Sequence, residues 1–275
     1  MAARTIRPPA VSGLFYPASA RSLQAHLAAS FARAAPPSLP AQPKALIVPH
    51  AGYDYSGIIA ASGYNQLTPF AARIRRVVLF GPAHRVPLLG LALPQASAFR
   101  TPLGDVPVDM DAWNEALKLP QVEVSDRAHE FEHSLEVQLP FLQSILPSFM
   151  LVPFVVGWTE PTHVARVMEA LWGGPETLIL VSSDLSHYHP YDEARALDQA
   201  TIERILQGDA TIAPDDACGA IAIDGLLLAA RHRRLQPHFI AYCNSGDTFG
   251  DRDRVVGYTS IAFTEEIRHG AEAIH

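Results

Sequence analysis

Short runs of apolar, β-branched residues recur along the chain, separated by segments whose apolar positions fall three and four apart. The runs at 45–49, 76–80, 150–156, 177–182 and 239–243 predict strands, and 255–263 predicts one more. The segments between them predict helices over 56–67, 111–118, 134–146, 162–172, 191–207 and 216–231. A further helix is expected over 19–34, with Ser19 or Ser22 as its N-cap. Strand and helix in alternation predict an α/β fold, a single domain whose central, largely parallel or mixed sheet is flanked by helices. The Pro-rich stretch 35–43 reads as a surface connection, because an apolar run begins directly after it.

With 275 residues, 48% of them hydrophobic, the chain is long enough for one large core. The core is expected over about 7–263, with a polar tail over 264–275 that carries His269 and His275. The net charge of -7 and the lack of a Lys- or Arg-rich block argue against nucleic acid and anionic membranes as partners. No apolar run is long enough to span a bilayer. Cys218 and Cys243 fit no CxxC pattern, so a reduced, cytoplasmic protein is the simplest expectation. Residues 1–53 contain no Asp or Glu but several Arg, a composition shared with transit peptides.

Open α/β sheets bind ligands beyond the carboxyl ends of their strands. Four predicted strands end in metal-capable side chains with small or polar neighbours: Pro49-His50, Gly81-Pro82-Ala83-His84, Ser182-Ser183-Asp184-Leu185-Ser186-His187 and Tyr242-Cys243-Asn244. Imidazole and thiolate suit iron, copper or zinc, and three protein ligands leave positions open. A hydrogen-bonded polar crevice without metal accounts for the same residues. His133 enters the helix expected at 134, where the positive end of the dipole favours a neutral imidazole able to accept a proton; alternatively, His133 and Glu132 cap that helix. Asp184 and His187, three apart, face the same way if a helical turn begins there. Cys243 beside a His also allows nucleophilic chemistry. Cys218, opening an apolar helix, reads as a small buried residue.

Eight motifs in order, VSGLFYPAS, VPHAGYDYSG, GPAHR, FRTPLGDVPVD, HEFEHSLEVQLPFLQ, VSSDLSHYH, ACGAIAI and YCNSGD, resemble the MEMO family. Its prokaryotic members include the protein called AmmeMemoRadiSam system protein B. The resemblance takes the acid-poor N-terminus into the fold. It implies a fold similar to the LigB-like class III extradiol dioxygenases, which use non-haem Fe(II). Matched motif by motif, it implies His50, His84 and Cys243 as metal ligands. It also implies His187, Asp184 and His133 as catalytic residues. Tyr16, Tyr53 and Tyr55 are candidates for the substrate wall. The expectation is an iron-dependent oxidoreductase acting on a small catechol-like or other metal-chelating substrate. Fe(II) is its metal, with copper or zinc as alternatives, dioxygen its co-substrate, and a homo-oligomer its candidate assembly. The competing expectation is a metal- or peptide-binding adaptor or redox scaffold without turnover. Arg85 and Arg100 would then be the basic candidates for a phosphopeptide.

Overall fold

The computed structural model describes residues 5–266. His269 and His275 lie outside the described residues. The strands are β1 (Ile6–Arg7), β2 (Pro43–Val48), β3 (Arg76–Pro82), β4 (Leu91–Leu93), β5 (Ala98–Thr101), β6 (Gly104–Pro107), β7 (Val122–Val124), β8 (Met150–Val156), β9 (Thr177–Ser182), β10 (His187–His189), β11 (Leu235–Asn244) and β12 (Val255–Glu265). The helices are α1 (Ala20–Arg33), α2 (Tyr53–Asn65), α3 (Met110–Ala116), α4 (Asp126–His129), α5 (Leu139–Ile145), α6 (Pro161–Ala170), α7 (Tyr191–Leu206), α8 (Ala220–Arg233) and α9 (Ser245–Thr248). All six expected strands are present. The short strands β1, β4 to β7 and β10 lack a run long enough to announce them.

The main sheet runs β10-β12-β2-β9-β3-β8-β4-β7, with β11 on β12, and β1, β5 and β6 form a second, three-stranded sheet. Strands β2, β9, β3 and β8 are mutually parallel, whereas β12 runs antiparallel to both β2 and β11. The parallel centre is buried on both faces, which is why its strands read as continuous apolar runs. Alternate residues serve opposite faces. Ile47, Phe80, Phe154 and Val181 pack with α6 and α8, while Leu46, Leu79, Val155 and Leu180 pack with α1, α2 and α5. The result is an α/β fold with a mixed sheet between two helical layers.

Three departures bear on the site. The helix expected at 134–146 begins as a 3-10 turn, Glu136–Gln138, before α5, so His133 stands just ahead of the first turn. No helical turn starts at Asp184; residues 183–186 continue irregularly into β10. Finally, the acid-poor start is fixed in the fold. Arg7 is buried against Glu136 (2.6 Å) and donates to the carbonyls of His129 (2.8 Å) and Glu132 (2.6 Å), pinning the segment that carries His133. Ser19, not Ser22, caps α1, its side chain accepting from the Ser22 amide.

Candidate metal centre

The parallel strands β2, β3 and β9 end on one edge. Beyond them the chain places His50, two residues after β2, His84, two residues after β3, and Asp184, two residues after β9. The loop ahead of the 3-10 turn brings His133 to the same point. The ring centroids are 5.1 Å apart for His50 and His84, 5.4 Å for His50 and His133, and 4.7 Å for His84 and His133. One ligand atom from each can be chosen so that all lie within 4.8 Å of one another. His50 is buried, His133 half-buried and His84 exposed, so the cluster has a solvent-facing side.

Two tautomers are fixed by the hydrogen-bond network. The Ser182 hydroxyl spends its proton on the Ser134 carbonyl (2.6 Å), so towards the His50 Nδ1, 3.0 Å away, it can only accept. His50 therefore carries its proton on Nδ1 and turns the Nε2 lone pair outward. The Glu132 carboxylate accepts from the His84 Nδ1 (2.9 Å), which leaves the lone pair of the His84 ring on Nε2. Glu132 also accepts from the amides of His84 (2.6 Å), His133 (2.9 Å) and Ser134 (2.8 Å). Burial would raise its pKa, but the His133 and His84 imidazoles beside it and the bond from the Ser134 amide outweigh that and hold the carboxyl well below its usual range. Burial, reinforced by His84 and His133, pushes the His50 pKa well down and keeps the ring neutral. The His133 Nδ1 lies 3.3 Å from Glu132 in poor alignment and has no hydrogen-bond partner.

The donor set fits a metal ion. Imidazole rings with one nitrogen backed by a carboxylate or hydroxyl and the other facing a shared point are the usual pattern of metal-ligating histidines. Three imidazoles admit iron, copper or zinc.

Asp184 accepts from the His50 amide (2.7 Å); burial raises its pKa against the pull of that bond and of His187, His133 and His84. His187 begins β10 opposite Val256, within electrostatic reach of His50, Asp184 and Asp198. The next residue, Tyr188, has φ +65°, a left-handed backbone that costs a non-glycine residue about 1–2 kcal/mol.

Cys243 is not brought to the cluster. It lies on β11 opposite Tyr258 of β12, and β12 separates β11 from β2. The ligand atoms that lie close together are those of His50, His84 and His133, and the Cys243 sulfur is not among them. The thiol that touches the cluster is Cys218, whose Sγ is 3.3 Å from the His50 Nε2 and accepts from the Asp184 amide (3.3 Å). Burial and the nearby Asp184 push the Cys218 thiol up to about 12. Tyr16 and Tyr53 sit in the core, with hydroxyls donated to Glu136 (2.6 Å) and the Val137 carbonyl (2.7 Å). Tyr55 is exposed, edge-on to Phe249. Arg100 is engaged by Asp105 on the second sheet.

A family model described as Memo-like protein matches residues 7–262. The chain belongs to the Memo family. It is 37% identical to a MEMO1 family protein of Aeropyrum pernix, covering 93% of this chain and 99% of that one. Against MEMO1 family proteins of Sulfolobus acidocaldarius and Aquifex aeolicus the identities are 34% and 36%, each covering 94% of this chain and 99% of the relative. Among solved structures, an uncharacterized protein of Escherichia coli K12 shares the fold, with TM-score 0.55 and 12% identity over 80% of this chain and 99% of that one. Membership of the Memo family fixes the fold and makes the strand-end motifs comparable. No helix among the described residues is long and apolar enough to cross a membrane.

Proposed function

We propose that this Memo-family chain is a non-haem, iron-dependent oxidoreductase of dioxygenase type. Its substrate would be a small catechol-like or other metal-chelating molecule. The observation that supports this reading is the convergence of His50, His84 and His133, with His50 and His84 each carrying its proton on Nδ1 and so offering an Nε2 lone pair, that of His50 beside the Cys218 sulfur. His50, His84 and His133 would hold the ion; His133 thus joins the ligands instead of acting as base. Bound iron would supply Lewis-acid polarisation of the substrate oxygens and the electron exchange needed for dioxygen chemistry.

The remaining steps belong to the chain. Glu132 and Ser182 fix the two ring orientations before ligand arrives. Asp184 anchors the backbone of His50. His187 takes the proton of a substrate hydroxyl, and the buried Asp184 carboxylate stabilises the imidazolium that forms. The exposed side of His84 gives a chelating substrate its approach.

The test is anaerobic purification with iron reconstitution, metal analysis, and oxygen uptake with a panel of vicinal diols. The wild type should hold about one iron per chain, and His50→Ala, His84→Ala and His133→Ala should each lose most of it. His187→Ala should keep the iron and lose oxygen uptake. Stoichiometric zinc or copper with no oxygen uptake in any reconstituted form would overturn the oxidoreductase assignment.

A further inference from the structure

Beside the three histidines lies a cavity of about 440 Å³. Its walls are the segment after β3 (Val86, Leu88, Leu89), the turn after β8 with Trp158, and the start of α8 with Cys218 and Ile221. No charged residue lines it, and the side-chain heteroatoms on its walls are the Cys218 sulfur and the Trp158 indole nitrogen. The rim holds two large apolar side chains in the open, Leu89 at 77% and Trp158 at 72% exposure.

This rim is built, not loose. The Trp158 amide donates to the Leu88 carbonyl (2.8 Å), the Gly90 amide to the Trp158 carbonyl (3.1 Å), and the Gly157 amide to the Gly90 carbonyl (2.9 Å). Gly157 is required for this approach, since a Cβ there would strike the Leu88 carbonyl. The two strands of the rim are therefore held together by backbone bonds, and the apolar side chains stay at the mouth.

Cys218 belongs to both regions. Its sulfur lines the cavity and lies 3.3 Å from the His50 Nε2. Ala83, also on the wall, directly precedes His84. The cavity and the metal cluster thus share a wall one side chain thick.

We propose that this cavity receives the neutral, apolar body of a small aromatic ligand, with Cys218 as the contact between that body and the polar end at the histidines. The assignment of the polar end rests on the proposed metal site; the cavity does not. The volume falls within the ~300–1,000 Å³ typical of small-molecule sites. A charged body is disfavoured, because the walls offer no counter-charge and few hydrogen-bond partners. The candidate tyrosine wall does not serve this role, as Tyr16 and Tyr53 are in the core.

The probes are 2-naphthol, which cannot chelate, and naphthalene-2-sulfonate, its charged counterpart. Binding is followed by naphthol fluorescence on chelator-treated full-length protein, on wild type and on Val86→Trp and Ile221→Trp, which add bulk from opposite walls. Circular dichroism and melting establish that each variant folds. Naphthol should bind the metal-free wild type, the sulfonate at least about tenfold more weakly, and each variant should weaken naphthol by about tenfold or more. Absent naphthol binding, or binding unchanged in both folded variants, overturns the proposal. So does a dimer in sedimentation that Trp158→Glu splits while naphthol has no effect, since the rim would then be an interface between copies. Iron titration of the same samples separates the two ideas. Naphthol binding without iron binding supports the cavity and removes the metal site, and iron binding without naphthol binding does the reverse.

Discussion

Replacing Glu132 by glutamine probes the organisation of the candidate site more directly than removing a histidine. The Glu132 side chain is 1% exposed and accepts four hydrogen bonds, from the His84 ring and from three backbone amides around the cluster, those of His84, His133 and Ser134. A glutamine of nearly the same shape keeps one acceptor oxygen. If it lies where Oε1 lies, it retains the His84 ring and the amides of His133 and Ser134. The amide nitrogen then faces the His84 N–H, donor against donor. One charge-assisted bond contributes ~1.5–3 kcal/mol, and the facing N–H groups add a desolvation penalty, so Glu132→Gln should destabilise folding by roughly 2–4 kcal/mol. Metal affinity should fall by ~10–100-fold, the usual cost of altering the outer partner of a ligating imidazole, because a neutral amide oxygen accepts from the His84 ring more weakly than a carboxylate.

The pH dependence has a definite sign. The Glu132 pKa is lowered in the folded state, so its contribution is fully present above the unfolded value, about 4.3, and is lost as pH falls towards the folded value. The difference between wild type and Glu132→Gln in urea unfolding should be flat from about pH 5 to 8. It should shrink by up to ~1.4 kcal/mol per unit below about pH 4.3. Unfolding free energies within ~0.5 kcal/mol of each other, with metal affinities within about threefold, would refute the idea that this carboxylate builds the site.

Other perturbations separate neighbouring claims. Gly81→Ala would press a Cβ to 2.6 Å from the Ser134 Oγ and 2.9 Å from Leu135, so urea unfolding should show a loss of about 1–3 kcal/mol and metal affinity should fall with it. Cys243→Ser should leave metal content unchanged, because its sulfur is not among the clustered ligand atoms; loss of most of the metal would return the thiolate to the ligand set. His129 donates through Nε2 to the Ala92 carbonyl (2.9 Å) and is driven by burial to a pKa of about 4. Its unfolded counterpart protonates near pH 6.5, so stability is present above that value and falls by up to about 3 kcal/mol as pH drops to about 4. His129→Gln should flatten that limb of the urea-unfolding profile.

The chemistry legible in the sequence was local to strand ends, and its limits follow from how strands are ordered. His50 and His84 could be placed because each follows an apolar run by two residues, and β2, β9 and β3 are adjacent and parallel. Cys243 ends a strand of the same direction, so the edge was correctly inferred. Its absence from the cluster was not, because nothing local announces that the last strand inserts between β2 and β11, nor that the loop ahead of the 3-10 turn brings His133 to the cluster in its place. Glu132 reads as a cap, and it does accept from the Ser134 amide; its hold on His84 depends on a contact 48 residues away. Cys218 reads as a small core residue at a helix start, whereas it is half-buried, its sulfur lining the cavity. What the helical pattern hides is the glycine beside it. A Cβ on Gly219 would lie 2.7 Å from the Ser183 side chain, so only glycine lets this turn settle against the loop after β9. That close approach carries Cys218 to the Asp184 amide and the His50 ring. The ACG triplet is therefore better read as a backbone contact with the site than as the opening of an apolar helix, which begins only at Ala220.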